Sequence, residues 1–229
     1  MIISGHQPNY LPWLGYFHKM KSCDLFVILD DVVHSRRAIT SRNKIKGPEG
    51  ARLLSVPMTR KDVTIKDVVM FNESRWYKKH WGSLQGCYTR ATYWKDYRDC
   101  FYHMYNAPGE KLADFNLRLI ELIREIFDIK TPVVRSSETP GITGKKGTKI
   151  INICKYFGAD TYLSGNGARV YNDASEFARN NLRLVYQDFE HPVYPQLWGS
   201  FVPNLSAVDL IFNCGPESKI YLPKQVVYE

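Results

Sequence analysis

Side chains able to bind ligands or move protons gather just after a short apolar run at the start of the chain. Ile2-Ile3-Ser4 is followed by His6, Gln7, Asn9 and Tyr10. An imidazole there suits an acid, a base, or a donor to a phosphate beside the following helix; the same residues could also cap their own loop. Asp30 and Asp31 close a second apolar run, Leu25 to Leu29. Carboxylates in that position could hold a ribose, an amine or a magnesium ion, and they are also common turn formers. A polar basic loop from His34 to Gly50 carries Arg36, Arg37, Arg42, Asn43, Lys44 and Lys46, with Arg42 and Asn43 best placed to clamp a phosphate. Gly141-Ile-Thr-Gly-Lys145-Lys-Gly-Thr-Lys149 is glycine-rich and basic and opens a helix, which suits an anion, although it does not match the P-loop pattern G-x-x-x-x-G-K-[ST]. Ser164 and Gly165, in Tyr162-Leu-Ser-Gly-Asn-Gly167, end a strand with small residues that permit close backbone approach, and Asp173 follows as ligand or helix N-cap. The stretch from Tyr186 to Gln196 is polar beside prolines and reads as a pocket rim containing Tyr194 and Gln196.

The hydropathy pattern supplies a frame for these groups. Ile2-Ile3-Ser4 reads as a buried strand, Pro12 as the first-turn proline of a helix reaching about Lys21, and Leu25 to Leu29 as a strand apolar on both faces. Such a strand after a crossover helix belongs in a parallel sheet covered on both sides. Strands are also expected around Leu53 to Pro57 and Thr64 to Met70, then helices over about 74 to 88, 92 to 106 and from Glu110 to Phe127. From Thr131 the α/β rhythm returns. Pro132 to Arg135, Thr161 to Ser164 and Leu182 to Tyr186 read as strands, with helices from Thr148 to Phe157 and after Asp173. Ser206 to Asp209 is a capping-box pattern, and Gly215-Pro216 stops the helix it opens. The expected fold is α/β: a Rossmann-like parallel sheet in one domain spanning 1–229, with 1–72 and 131–229 as the core and 73–130 as a helical insert. Ligands of such sheets bind at the carboxyl ends of the strands, where His6 and Asp30 fall.

The 229 residues are 44% hydrophobic and 24% charged, which suits a large core and excludes a disordered tail or coiled coil. No apolar run nears the ~20 residues needed to cross a bilayer. The opening residues lack the basic and apolar regions of a signal peptide, so a cytoplasmic protein without a membrane span is expected. Five scattered cysteines suit reduced thiols, and metal-ligand spacings are missing, so no metal site is expected. Cys214 sits at a helix C-terminus, the wrong pole to stabilise a thiolate. A net charge of +8 favours a polyanionic ligand, whether nucleic acid, nucleotide or phosphorylated sugar. The aromatics between Trp76 and Tyr105 recur at helical spacing, which reads as packing rather than base stacking, so nucleic acid is not the expected partner.

Longer motifs carry a resemblance. Gly5-His-Gln-Pro-Asn-Tyr-Leu-Pro-Trp-Leu-Gly-Tyr-Phe17, Asp30-Asp31, Arg42-Asn43, Tyr162-Leu-Ser-Gly165, His191-Pro-Val-Tyr-Pro-Gln196, Phe201-Val-Pro203 and Leu205-Ser-Ala-Val-Asp-Leu-Ile-Phe-Asn-Cys-Gly215 occur in order along almost the whole chain. With them the chain resembles the WbqC-like protein family. That resemblance implies a place among the gene sets for bacterial O-antigen (lipopolysaccharide) and other surface polysaccharides, and a role in adding an amino acid such as glycine to an amino sugar. More loosely, the opening looks like that of the HIGH-type nucleotidyltransferases and pantothenate-synthetase-like ligases, with Gly15-Tyr16 where those enzymes place Gly-His. Tyr16 cannot do what a second histidine does for a triphosphate, which weighs against adenylylation.

Three functions are compatible with these residues. The first is an N-acyl or aminoacyl transferase acting on a nucleotide-linked amino sugar, with His6 or Asp30 taking the amine proton and the acyl donor free or on a carrier protein. Gln7, Asn9, Tyr10, Asp31, Arg42, Asn43, Lys145, Ser164, Gly165, Asp173, Tyr194 and Gln196 are its expected substrate contacts, and no tightly bound cofactor is expected. The second is an amide ligase that uses ATP and magnesium, and the third a noncatalytic module that binds a nucleotide or a partner.

Overall fold

The computed structural model describes residues 1–35, 39–58, 63–170 and 172–225. In chain order the strands are β1 (Ile2–His6), β2 (Leu25–Ile28), β3 (Arg42–Gly47), β4 (Gly50–Ser55), β5 (Val133–Arg135), β6 (Thr161–Ser164) and β7 (Arg183–Tyr186). The α-helices are α1 (Leu14–Lys21), α2 (Trp76–Tyr88), α3 (Trp94–Asn106), α4 (Leu112–Ile126), α5 (Lys146–Tyr156), α6 (Ala174–Arg179) and α7 (Ala207–Cys214). Five strands form one parallel sheet in the order β5-β2-β1-β6-β7, and β3 and β4 form a separate antiparallel hairpin. Building outward from β1, the chain lays β2 and β5 to one side, then returns to lay β6 and β7 on the other. This is the α/β fold with a parallel sheet and a helical region in mid-chain that the hydropathy pattern implies.

Alternation along β2 divides the core into two layers. Phe26 and Ile28 face α1, the mid-chain helices and α7, while Leu25 and Val27 face α5 and α6 through Ile150, Ile153, Cys154 and Phe177. In α4 the buried residues Leu112, Phe115, Leu119 and Ile123 recur every three or four positions, as an amphipathic helix requires. The helix α7 is apolar nearly all round because it is enclosed: the Phe212 ring lies 5.1 Å from Tyr88, 4.9 Å from Trp94 and 5.3 Å from Phe101. The mid-chain aromatics are therefore packing residues, sharing one core with a face of the sheet.

Local structure departs from the sequence pattern in several places. Arg42 to Gly47, expected as loop, is strand β3, because pairing with β4 satisfies its backbone whatever its side-chain charge. Thr64 to Met70, expected as strand, holds a 3-10 turn, Ile65–Asp67, flanked by isolated bridges of Thr64 to Val33 and Met70 to Met58. The Thr64 hydroxyl bonds Asp67, and Lys66 N donates to Asp30 O, which bends the segment out of extension. Helix α1 starts at Leu14 rather than Pro12, since Trp13 bridges Ser206 and the Pro12 carbonyl accepts from Ala207 N. The capping box before α7 is half made: Ser206 Oγ accepts from Val208 N, whereas Asp209 turns inward to accept from Tyr88 at 2.8 Å and Tyr194 at 3.0 Å. Gly215 does end α7, and the chain continues as a 3-10 turn over Gly215–Tyr221. A Cβ on Gly215 would lie 2.3 Å from the Tyr93 ring, so a glycine is needed there.

Asp30 is a tie within this frame. It is 0% exposed and accepts from Arg135 Nε at 2.7 Å, Ser137 Oγ at 2.8 Å and Ser137 N at 3.1 Å, joining the end of β2 to the end of β5. Arg135 also meets the exposed carboxylates of Asp114 at 2.9 Å and Glu138 at 3.6 Å. Exposed pairs contribute roughly 0–1 kcal/mol, while removing one partner of a buried pair costs about 3–5 kcal/mol, so the Asp30 contact dominates. Asp30→Asn keeps the shape but removes the charge opposite Arg135. It is expected to cost about 2–4 kcal/mol and to lower Tm by roughly 5–15 °C in thermal unfolding; an unchanged Tm would mean that the carboxylate is free for other work.

Candidate functional site

The pairing of β1 with β6 covers only Ile2 with Thr161 and Ile3 with Tyr162, whereas β1 stays paired with β2 as far as His6. Beyond Ile3 the two strands separate, and a crevice of about 740 Å³ opens at their carboxyl ends. Strand β1 contributes Gly5, His6 and Gln7, the residues after β6 contribute Ser164, Gly165 and Gly167, and the first turn of α5 contributes Lys146, Gly147 and Lys149. This is the position at which strand order reverses, where open α/β sheets bind their ligands. Lys19 reaches the same space from α1.

Its charges are unevenly matched. Lys149 Nζ bonds Asp31 Oδ2 at 2.6 Å, and Asp31 also accepts from Ser136 Oγ at 2.5 Å. Burial pushes the Asp31 carboxyl up, but the bonds from Lys149 and Ser136 outweigh it and hold the group below the usual carboxylate range. Lys149 is thus neutralised by its neighbour. Lys146 is exposed at the mouth, and no side chain caps the start of α5, so a cation and the positive end of a helix dipole face any ligand there. Gly144 lets the preceding loop close on this turn: its φ is +104°, and a Cβ would lie 3.1 Å from Lys149 N. Lys19 is 3% exposed, its Nζ donates to Gly5 O at 2.9 Å, and burial lowers its pKa to about 8.

His6 is held neutral. Burial first and Lys19 second push its pKa down to about 3. Its Nδ1 lies 3.2 Å from Gln7 O, and a carbonyl only accepts, so Nδ1 carries the proton and Nε2 is the free acceptor. A neutral imidazole can take a proton from an attacking amine, and a bound anion would raise its basicity toward the useful range.

The structure brings together His6, Gln7, Ser164 and Gly165 of the residues singled out from the sequence, with Asp31 joined through Lys149. Asp30, considered for the amine proton, is instead occupied by Arg135 and Ser137. Lys145 is the exposed residue before α5, and its neighbour Lys146 lines the crevice in its place. Asn9 is buried, and Tyr10 bonds His80 at 2.8 Å and Tyr105 at 2.5 Å. Arg42 opens β3, and Asn43 donates to Leu11 O at 2.5 Å. Asp173 caps α6 through Ser175 N and Glu176 N; Tyr194 donates to Asp209, and Gln196 bonds Val202. None of these nine lines the crevice. Arg36 and Arg37 lie outside the described residues. Cys214 is buried, and burial raises its thiol to about 11, which makes it a poor nucleophile. Among the described residues no cluster of His, Cys, Asp or Glu could hold a metal ion, and no helix is long and apolar enough to cross a membrane.

Sequence reasoning passed over Lys19. The available signal was its place three residues after Tyr16, on the side of α1 that faces the core. A lysine there is charged at neutral pH at a cost to folding. Between pH 8 and 10.5 the unfolded chain holds more protons at this site, so stability from Lys19 rises with pH across that window. Lys19→Met is therefore expected to melt at or above the wild-type temperature at pH 7, with the gap closing by pH 10. A Tm well below wild type at pH 7 would show that the ammonium is structural.

The model of the WbqC-like protein family matches residues 7–221. The chain is 32% identical over 220 residues to the uncharacterized protein Rv1507c of Mycobacterium tuberculosis, covering 94% of this chain and 95% of that protein. No solved structure matches the chain significantly. With a matching region that runs from the crevice residue Gln7 to the turn after α7, the chain belongs to the WbqC-like protein family.

Proposed function

We propose that this protein is a transferase that forms an amide on the amino group of a nucleotide-linked amino sugar, in the cytoplasmic synthesis of a bacterial surface polysaccharide such as O-antigen. The observation that carries the reading is the meeting, in one crevice where strand order reverses, of a neutral His6, a buried Lys19 and the basic start of α5. The diphosphate lies against Lys146 and the first amides of α5. The sugar amine lies toward His6, which takes its proton as the nitrogen attacks the acyl carbonyl. The C–N bond forms, the bond from the acyl carbon to its thiol or other leaving group breaks, and the proton passes from His6 to that group. The donor is an activated acyl or aminoacyl group, free or on a carrier protein. Family membership supports the setting, through the polysaccharide gene sets with which such proteins are associated.

A second reading, an ATP-dependent amide ligase, draws on the β1-loop-α1 opening and on the same start of α5, which would also receive a triphosphate. Thermal unfolding with nucleotide-linked amino sugars, coenzyme A thioesters and ATP with magnesium separates the two. At a hundredfold excess over Kd a native-state ligand adds about 2.7 kcal/mol, or roughly 5–10 °C in a chain of this size. The amino-sugar nucleotide is expected to give such a shift, Lys146→Ala to weaken it roughly tenfold in concentration, and His6→Ala to keep it while amide formation falls by about 10²–10⁴. A shift with ATP alone, with ATP consumed during amide formation, would replace the transferase by the ligase. No shift with any of them would leave a noncatalytic binding module.

A further inference from the structure

Among the described residues the buried lysines are Lys19, Lys46 and Lys149. An ammonium is costly to bury unless a counter-charge goes with it. Lys149 is paired with Asp31 at 2.6 Å, and Lys46 is drawn by the carboxylate of Asp209. Lys19 is placed differently. Its Nζ donates to Gly5 O at 2.9 Å and lies 6.0 Å from the centre of the Phe26 ring. The neighbouring Cys23 thiol is pushed up to about 12 by burial and so carries no charge at neutral pH. Among the described residues no carboxylate is paired with Lys19.

The ammonium stands where two cavities meet. Lys19 lines both the crevice and a smaller chamber of about 290 Å³ on the α1 side, and the two also share His6, Gly165 and Gly167. Nζ bonds the end of β1 and would be the nearest neighbour of a Cβ built on Gly165, at 3.9 Å, which puts it between the ends of β1 and β6. Among the described residues that line either cavity there is no carboxylate. The counter-charge is therefore left to a ligand. With His6 neutral, the junction carries one positive charge. A carboxylate matches it, whereas a phosphate monoester, at about −1.5 to −2, would bury an excess of negative charge. Lys19 is also close enough to His6 to depress its basicity, so an anion paired with Lys19 lies beside the imidazole and reverses that effect.

We propose that the sugar is acidic as well as amino: an amino-hexuronate whose carboxylate pairs with Lys19 while its amine lies against His6. Placing the carboxylate on the sugar rests on the amide-forming function proposed above; the call for a monoanion at Lys19 rests on the buried charge alone. The pairing compensates the ammonium and makes His6 a better acceptor only when the substrate is in place.

UDP-glucuronate and UDP-glucose differ by a carboxylate against a hydroxymethyl group and serve as probes, together with free glucuronate and glucose, in calorimetric titrations. Wild type is expected to bind UDP-glucuronate about ten- to hundredfold more tightly than UDP-glucose, as one hydrogen bond between charged groups allows. Lys19→Met, expected to melt no lower than wild type at pH 7, should bring that ratio to about one and leave UDP-glucose binding unchanged. Lys146→Ala should weaken both UDP-sugars by the same factor and leave free glucuronate unaffected. Equal binding of the two UDP-sugars to wild type, a comparison that needs no variant, overturns the acidic sugar. An undiminished ratio in Lys19→Met overturns the role of Lys19. If free glucuronate binds more tightly than glucose through Lys19 but neither UDP-sugar binds, the anion site stands and the nucleotide-linked reading falls; if glucuronate binds in neither form, the inference falls.

Discussion

Two parallel strands part after two paired residues, and the site follows from that separation. Because the crossovers on the two sides of β1 lead away from each other, nothing draws β6 along β1 beyond Ile3. The backbone polar groups exposed by the gap still need partners. Ser4 Oγ donates to Leu163 O at 2.7 Å, and Lys19 Nζ donates to Gly5 O where a strand amide would otherwise stand. Lys19 thus brings a positive charge into the crevice, and that charge helps to keep His6 neutral.

The rest of the chain keeps this opening in shape. Asp30 and Arg135 tie the ends of β2 and β5 on one side. On the other, Ser164 accepts from Asn172 at 3.0 Å, and Gln187 binds back to α1. The mid-chain helices lie under the sheet rather than at the crevice, and α7 locks them to it through Phe212 and through Asp209 with its two tyrosines. Tyr88, Tyr194 and Asp209 in that layer satisfy one another, whereas among the described residues no acid is paired with Lys19 or Lys146 at the site.

The outline of the fold was legible in the residues. Strands apolar on both faces, apolar spacing of three and four in the helices, and Gly215 after the last helix each have one local physical reading. The site was legible only in part. His6, Gln7, Ser164 and Gly165 could be placed because strand ends in such sheets face a crevice. Tyr10, Asn43, Tyr194 and Asp173 have the same chemistry on paper, but each is taken up by a specific partner, and no one-dimensional pattern tells a satisfied polar group from a free one.

The amino-acid sequence by itself determined the alternation of strands and helices, the parallel sheet and the excess of positive charge, since these depend on periodicity and composition within a few residues. Tertiary structure alone decided which charges are neutralised. Lys149 is answered by Asp31, 118 positions away, and Asp30 by Arg135, 105 positions away, whereas among the described residues Lys19 is buried against the Gly5 carbonyl and the Phe26 ring without a carboxylate, and the Tyr16 hydroxyl has no hydrogen-bond partner. Pairing depends on distances between residues far apart in the chain, and those distances exist only once the sheet has closed around them.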